Sequence, residues 1–515
     1  MLEKQKINDK QLIIIRIIYV IIVRNELKVV NMIHYTELIN TLETIVLRGK
    51  KIGKKKLSEK DFKEYKSLRL QSLDNEFENN KGRKISFSLI EKINNEILCF
   101  LPSRHKFNSR QRKLIKLVRW NSVARILLGL QARHSSIEYY EKIYRLAKEL
   151  EETSFLLESS RRLFHHFAGY SGNLKKAEYY YQVNQIANQQ IALEIKAEWY
   201  LSKMSSFYAK RKSRQQALIP LSKEYFIDLQ NTAKKYHTSR FLRIYLAVGS
   251  IYFEVRHDYK NLVPFLKEGI FNFQKSYPLL TSELHTIKLH FISYLLKTEL
   301  NKKAKKECNF IIANSKIQSK IWLRAMELLL LCQLRESSLL ECKSTAKAIK
   351  TSKAYKAMSK EVRVRIELKI IYGQIFSILK SKDKKALKTL RIGKYINSIP
   401  NFSMDKKAMN VTILILQIIY FIIKKDYDNL EMRFESILKY LQRYLRSDNL
   451  KRSHCFIKML LQVHRNNFHP VAINRHTEKH IAQLEQITFG ESKQALEVEI
   501  IKYEVLWKSL LGYLK

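Results

Sequence analysis

The fold prediction rests on two stretches of sequence: His257-Asp258-Tyr259-Lys260-Asn261-Leu262 and Lys425-Asp426-Tyr427-Asp428-Asn429-Leu430 are nearly the same polar break. Each break separates two segments whose apolar residues follow helical spacing. A third break, Gly172-Asn173-Leu174-Lys175-Lys176-Ala177, ends in a small residue. A small residue lets two antiparallel helices approach closely, and positions i, i+4 and i+7 lie on one helix face. The pattern predicts helix pairs that repeat along the chain.

The small-residue register can be placed eight times, with spacings from 37 to 45 residues. The register positions are Tyr140, Ala177, Ala217, Leu262, Ala304, Cys342, Ala386 and Leu430. The positions four residues later are Tyr144, Tyr181, Leu221, Leu266, Cys308, Ala346, Leu390 and Phe434. The positions seven residues later include Ala147, Gly269, Ile311, Ile349, Gly393 and Ile437, whereas Asn184 and Glu224 stand where a small residue is expected. We expect the apolar and small residues among these positions to be buried between paired helices.

The composition excludes most sheet architectures. The chain of 515 residues has only 12 Gly and 6 Pro, and parallel sheets, sandwiches and barrels need many Gly and Pro residues in loops and turns. The hydrophobic content of 46% excludes wholesale disorder. The sequence therefore predicts an all-α protein, and its length favours several domains or an open-ended repeat array.

The breaks resemble the inter-helix turn of tetratricopeptide-like repeats, in which a small residue opens the second helix of each pair. The tetratricopeptide repeat is shorter, about 34 residues, and the Trp, Leu-Gly and Pro positions of its consensus are mostly missing here. The resemblance implies a right-handed α-α superhelix, a solenoid of about eight helix pairs. A HEAT-like array, which has a similar period, is the alternative.

Four segments are expected. Residues 1–31 form either a non-structural extension that precedes a start at Met32 or an amphipathic helix, and residues 32–103 form a helical segment. Residues 104–465 form the repeat array, and residues 466–515 form a C-terminal cap. The apolar runs at 12–23 and 411–423 are too short to span a bilayer, so no stable membrane insertion is predicted.

The formal net charge is +47. Such a charge attracts nucleic acid, acidic proteins or anionic surfaces, although AT-rich codon usage also enriches Lys. The densest basic stretch is 343–394, with 16 basic residues against Glu361, Glu367 and Asp383. The five cysteines form no C-x-x-C pair, which favours a reducing, cytoplasmic location.

No residue set predicts catalysis. The chain has no phosphate-binding G-x-x-x-x-G-K-[ST] motif and no H-E-x-x-H. His476 and His480 stand four residues apart, but the spacing of the nearby histidines fits no zinc site. We therefore expect a protein that is not an enzyme and that holds neither a metal nor a cofactor.

The tetratricopeptide resemblance implies that the first helix of each pair lines a concave groove. Carried onto this sequence, it predicts partner-binding residues Arg125, Arg133, Arg162, His166 and Lys210. The same positions include Ser122, Ser159, Trp199, Ser202 and Ser206 in the first half, and Leu331, Leu334, Thr412, Ile415, Ile419 and Ile422 in the second. The groove is thus expected to be basic in its first half and apolar in its second.

The predicted function is a non-catalytic protein-interaction scaffold whose basic groove binds an acidic protein or peptide segment. The alternative is a nucleic-acid-binding helical repeat protein that uses distributed Lys and Arg. An amphipathic helix is predicted over Glu491–Leu514. It either folds back over the apolar half of the groove or pairs with a second chain, so the sequence leaves the oligomeric state open.

Overall fold

A computed structural model describes residues 109–208, 218–383, 390, 406–426, 428, 430–431, 451–487 and 498–515. Within these residues there are seventeen helices and no strand, which confirms the all-α prediction. Several predictions lie outside the described residues. They concern segments 1–31 and 32–103, the site residue Lys210, and the register residues Ala217, Ala386, Gly393, Phe434 and Ile437.

The chain forms two compact units, residues 1–187 and 188–515. The first unit contains α1 (Ser109–Gly129), α2 (Arg133–Leu150) and α3 (Thr153–Gly169). The unit boundary falls inside the long helix α4 (Leu174–Tyr208). Helix α2 packs against both α1 and α3, and the core between them is built from apolar residues such as Leu117, Ile143 and Leu163.

The second unit contains thirteen further described helices. They are α5 (Leu218–Ala233), α6 (Ser239–Glu254), α7 (Tyr259–Ser276), α8 (Thr281–Lys297), α9 (Asn301–Asn314), α10 (Lys320–Arg335), α11 (Leu339–Thr351), α12 (Lys353–Lys356), α13 (Lys360–Ser381), α14 (Lys406–Lys424), α15 (Lys451–Arg465), α16 (Pro470–Gln486) and α17 (Tyr503–Leu514). From α5 to α11 each helix packs against the next, and α8 also packs against α10. Helix α13 contacts α10, α11, α14 and α17.

One turn geometry recurs between the helices. Six residues with a left-handed backbone, with φ between 57° and 64°, stand five positions before a buried residue, which is a predicted register position in five turns and Ser136 in the first. They are Gln131, Gly172, His257, Glu299, Ser337 and Lys425. At five of the six turns the next residue donates its N–H to the carbonyl oxygen five positions earlier, as Asp258 does to Phe253 at 3.0 Å. This hydrogen bond satisfies a carbonyl at the end of one helix and reverses the chain into the next.

The register residues in the second unit are buried as predicted. Leu262, Ala304, Cys342 and Leu430 are each at most 5% exposed. The residues four and seven positions later are also buried at Leu266, Gly269, Cys308, Ile311 and Ile349. A Cβ atom added to Gly269 would collide with the Leu246 side chain of α6, so Leu246 packs directly over the glycine at this contact between α6 and α7.

In the first pair the predicted positions Tyr140, Tyr144 and Ala147 are all buried. The buried face also includes a small residue one helical turn earlier, Ser136, whose Oγ donates to the Ala124 carbonyl at 2.8 Å.

In α5 the buried face includes Leu218 and Ser222. The predicted contact position, Leu221, is therefore one residue away from the position that the structure buries. Glu224, which breaks the predicted pattern, is exposed for this reason.

Helix α4 departs from the predicted register at Tyr181 and at Asn184. Tyr181 was predicted to face its partner helix, but its side chain is 50% exposed and Tyr180 packs against Phe167 instead. Asn184 stands where a small residue is expected, and its Nδ2 donates to the Leu157 carbonyl at 2.8 Å. The amide is tolerated at this helix contact because its polar atoms find a partner on α3.

The C-terminal helix is shorter than predicted. Helix α17 begins at Tyr503, whereas residues 498–502 are not helical. The carbonyls of this irregular segment accept hydrogen bonds from elsewhere in the unit: Arg335 donates to Glu499 at 3.1 Å and Thr412 to Val498 at 3.4 Å. A continuous helix would have used these carbonyls internally.

The recurring turn generates a stability prediction at Ser337, an exposed residue with φ of 61°. A residue with a Cβ atom is strained in this region and glycine is not. Ser337→Gly should therefore raise the free energy of unfolding by about 0.5–1 kcal/mol, measured by chemical denaturation.

The matched control is Ser344→Gly, the same substitution on the exposed face of α11. There glycine loses helix propensity, so the free energy of unfolding should fall by about 0.5 kcal/mol. Effects of the same sign at both positions would show that Ser337 does not adopt the left-handed turn.

Candidate partner-binding surface

The predicted site residues of the first unit lie on α1 and α3. Arg125 of α1 contacts Glu158 of α3, with its Nη2 2.7 Å from the carboxylate, and the same carboxylate accepts a hydrogen bond from Asn121 at 3.2 Å. The Arg125 side chain remains 61% exposed. Glu158 therefore holds one predicted partner-binding arginine on the surface, with its guanidinium presented to solvent.

Arg162 lies beside the same group. Both Arg125 and Arg162 are close enough to the hydroxyl of buried Tyr140 to affect its pKa. Burial is the main cause that raises the pKa of Tyr140, and the carboxylate of Glu158 raises it further. The two arginines oppose this rise. Arg162 itself is exposed. Arg125, Arg162 and Glu158 therefore all lie near the hydroxyl of Tyr140, a tyrosine that belongs to the core.

Arg133 and His166 form a second group. The Arg133 guanidinium lies 4.5 Å from the ring centre of Tyr170, a distance at which a cation is attracted to an aromatic face. His166 stacks on the same tyrosine and meets His134 edge-to-face, with 6.5 Å between ring centres. Burial and the neighbouring His134 lower the pKa of His166 below its ordinary value, against the opposing charge of Glu141. His166 is therefore mainly neutral at neutral pH.

The other predicted groove positions differ in exposure. Ser122, Trp199, Ser202 and Ser206 are exposed. Ser159 is fully buried, so its assignment to the groove is wrong; its hydroxyl donates to the Phe155 carbonyl at 2.7 Å. A serine that bonds to its own helix in this way can pack inside a core without an unsatisfied polar atom.

Charge is divided unevenly among the helices of the first unit. Helix α1 carries six basic residues and no acidic residue, and Glu158 is the single acidic residue of α3. Helix α2 carries four basic and three acidic residues. Besides Glu158 of α3, acidic partners for α1 come from the end of α2 and the turn after it, where Lys113 meets Glu149 and Arg110 meets Glu152 at 2.9 Å. The basic excess of these three helices is therefore concentrated on α1, because α2 and α3 each carry one more basic than acidic residue.

The predicted apolar groove of the second unit is not open. The six residues assigned to it are each at most 2% exposed; they are Leu331, Leu334, Thr412, Ile415, Ile419 and Ile422. Their apolar members share one core with residues of the C-terminal segment 498–514. The C-terminal segment thus packs on α13 and α16 of its own chain, as the fold-back alternative requires.

Arg452 anchors this segment. The buried Arg452 guanidinium bonds to Glu499 at 2.7 Å and to Glu504 at 2.7 Å, and it also donates to the carbonyls of Leu484 and Ile487. Burial alone would lower the pKa of Arg452, but the two carboxylates reverse the sign and hold this pKa above its ordinary value. Outside the helices, Lys502 meets Glu299 at 2.7 Å.

A second buried charge centre joins α10 to α13. The carboxylate of Glu327 is 1% exposed and bonds to Lys369 at 2.6 Å, to Arg324 at 2.6 Å and to Arg365 at 3.0 Å. Burial would raise the pKa of Glu327, but these three cations lower it well below its usual range. The Glu327 carboxylate is therefore ionised at neutral pH, and its ion pairs with Lys369 and Arg365 link α10 to α13.

The described residues contain no group of three or more His, Cys, Asp or Glu side chains that could bind a metal ion. His469, in the histidine-rich C-terminal part, caps α16, where its Nδ1 accepts from the backbone of Ala472. The four described cysteines are free thiols. Among the described helices none is long and apolar enough to cross a membrane.

Comparison with protein-family models, with curated proteins and with solved structures found no match to this chain.

Sequence reasoning missed the acidic partners. Glu158, Glu327 and Glu499 organise the two units, yet none was singled out by the repeat pattern. Glu158 could have been identified from the sequence, because it is the one carboxylate on α3. Nothing in the sequence pairs Glu499 with Arg452, which is 47 positions away.

The anchor generates a stability prediction. Arg452→Ala leaves the buried Glu499 carboxylate without its main cation and should lower the free energy of unfolding by about 3–5 kcal/mol. Chemical denaturation followed by circular dichroism measures this loss.

Arg240→Ala is the matched control, because Arg240 also bridges two helices but its pair with Glu198 is exposed. Its cost should stay within about 1 kcal/mol. Equal costs for the two variants would contradict the role assigned to Arg452.

Proposed function

We propose that this protein is a non-catalytic interaction scaffold, built as a tetratricopeptide-like α-α superhelix of about eight helix pairs. The support for this class is the recurring turn, in which a left-handed residue stands five positions before a buried register residue. The spacings between successive turns, for example from His257 to Glu299 and from Glu299 to Ser337, fit repeats longer than the tetratricopeptide consensus. In such an array each helix pair covers the apolar face of its neighbour.

The basic surface, defined as Arg125 and Arg162 with the surrounding basic side chains of α1 and α3, is the proposed binding site for an acidic protein or peptide segment. The observation that carries this proposal is the ion pair of exposed Arg125 with Glu158, with a second exposed arginine, Arg162, near the same tyrosine hydroxyl. Glu158 is the one carboxylate of α3, and α1 has none, so positive charge remains in excess on these two helices. A planar guanidinium pairs well with a second carboxylate, because it offers several N–H donors in fixed geometry.

The proposed binding site also includes Arg133 and His166, near the end of α3. Arg133 stacks on Tyr170, whose ring is exposed, and a neutral His166 adds a hydrogen-bonding group without charge. An acidic segment that reaches this end would meet one cation and one aromatic ring. We propose a non-enzymatic role in a reducing, cytoplasmic setting.

Nucleic-acid binding is the second candidate function. The exposed rings of Tyr170 and Tyr181 lie on a basic unit, and bases stack on exposed aromatic side chains. The phosphate groups of a nucleic acid would bind to the same arginines, Arg125 and Arg162. Salt dependence separates the two candidates, because binding that releases many counterions weakens steeply as salt rises.

The test measures binding of a fluorescein-labelled Asp/Glu-rich peptide by fluorescence anisotropy at near-physiological salt. The double variant Arg125→Glu/Arg162→Glu should weaken binding by about tenfold or more, because two charge-assisted contacts become repulsive. The control Arg145→Glu/Lys148→Glu makes the same change of charge on exposed positions of α2, and its effect should stay within about twofold.

Equal losses in the two double variants would contradict a defined site and indicate diffuse attraction to the net charge. A labelled single-stranded oligonucleotide forms the second arm of the test. Tight binding of the oligonucleotide with a steep salt dependence, and none of the peptide, would establish the nucleic-acid candidate instead.

A further inference from the structure

A pocket opens between α11 and α13 in the second unit. Its volume is about 300 Å³, at the lower end of the sizes that hold small ligands, about 300–1,000 Å³. Its apolar wall is formed by Leu330, Leu339, Cys342, Ala346, Ile370 and Gly373. Such a wall favours a ligand with an apolar part, because burial of apolar surface drives association.

Three lysines line one side of the pocket. Lys343, Lys347 and Lys350 line it from α11, and their spacing of four and three residues places them on one helix face. All three are exposed. They belong to the most basic stretch of the sequence, which the basic surface of the first unit does not include.

The charges around the pocket are of one sign. No acidic residue lines it, and among the described residues no ion pair joins Lys343, Lys347 or Lys350 to a carboxylate. The acidic residue of α11, Glu341, instead bonds to Lys305 at 2.7 Å. A fourth lysine, Lys369, also lines the pocket, but its amine is bound to Glu327 at 2.6 Å, so its apolar stem contributes to the wall.

We infer that this pocket binds a small amphipathic anion, with an alkyl chain in the apolar cavity and a carboxylate or phosphate-monoester head on the three lysines. Charge complementarity and the apolar wall together select this ligand class. A bare inorganic anion would leave the apolar wall uncovered, and a neutral alkane derivative would leave the lysines without a partner. The site lies in the second unit, and it does not rest on the function proposed for the basic surface.

The test is isothermal titration calorimetry of the full chain with decanoate and with decyl phosphate, each below the concentration at which it forms micelles. Both should bind at one site per chain, and the stronger of the two identifies the head group. Decanol, decyltrimethylammonium and inorganic phosphate are the comparison ligands, and each should bind at least about tenfold more weakly. Equal binding of decanol or of the cation would overturn the inference.

Two sets of variants locate the site. Lys343→Glu/Lys347→Glu should weaken anion binding by about tenfold or more, whereas Lys303→Glu/Lys306→Glu, the same change of charge on exposed positions of α9, should change it by less than about twofold. Ala346→Trp fills the cavity and should abolish binding of the alkyl chain. Equal losses in the two lysine pairs, or unchanged binding in Ala346→Trp, would show that the anion binds elsewhere. The lysine pairs are exposed, so their folding is expected to be unchanged.

Discussion

The close approach of paired helices is the constraint on which the rest of this structure depends. A helix pair buries its apolar face only if the chain reverses within a few residues and a small side chain stands at the contact. The recurring turn supplies the reversal, and residues such as Ala304 and Gly269 supply the contact. Where the small residue is replaced, as at Asn184, the larger side chain is accommodated by hydrogen bonds across the same contact.

The scarcity of carboxylates gives each buried one an organising role. The chain has 48 acidic residues for 95 basic ones, so about half of the lysines and arginines have no acidic partner available. Glu327 pairs with Lys369 and Arg365 of α13, and Glu499 pairs with Arg452 of α15, so each carboxylate joins elements that are distant in sequence. The remaining positive charge is left on surfaces, where it attracts anions. This is why the proposed partner-binding surface and the lysine-rimmed pocket are both basic.

The sequence predicted the parts of the fold that depend on local periodicity. The all-α class follows from the low Gly and Pro content, and the buried register from Leu262 to Ile349 follows from helical spacing. In α5 the buried face is displaced by one position, from the predicted Leu221 to Ser222. The left-handed turn residue gives no signal in the sequence for placing the register, because among the described turns it is a glycine only at Gly172.

The candidate site was predicted less completely. Arg125 and Arg162 were identified from their positions, but Glu158, the ion-pair partner of Arg125, was not, because a contact between α1 and α3 depends on tertiary packing. The apolar half of the predicted groove was identified correctly as apolar. Its occupant was expected to be a continuous helix, and the structure instead places an irregular segment before Tyr503, whose carbonyls bond to Arg335 and Thr412.

The apolar faces of the second unit must be covered, and segment 498–514 covers the last of them. Hydrogen exchange followed by mass spectrometry, on the full chain and on a chain truncated after residue 497, tests whether this cover protects the helices beneath it. Truncation should speed amide exchange in α10, α13 and α14, while α1–α3, which belong to a separate core, should exchange as before. Unchanged exchange in α13 and α14, or an equal increase in α1–α3, would contradict this protection.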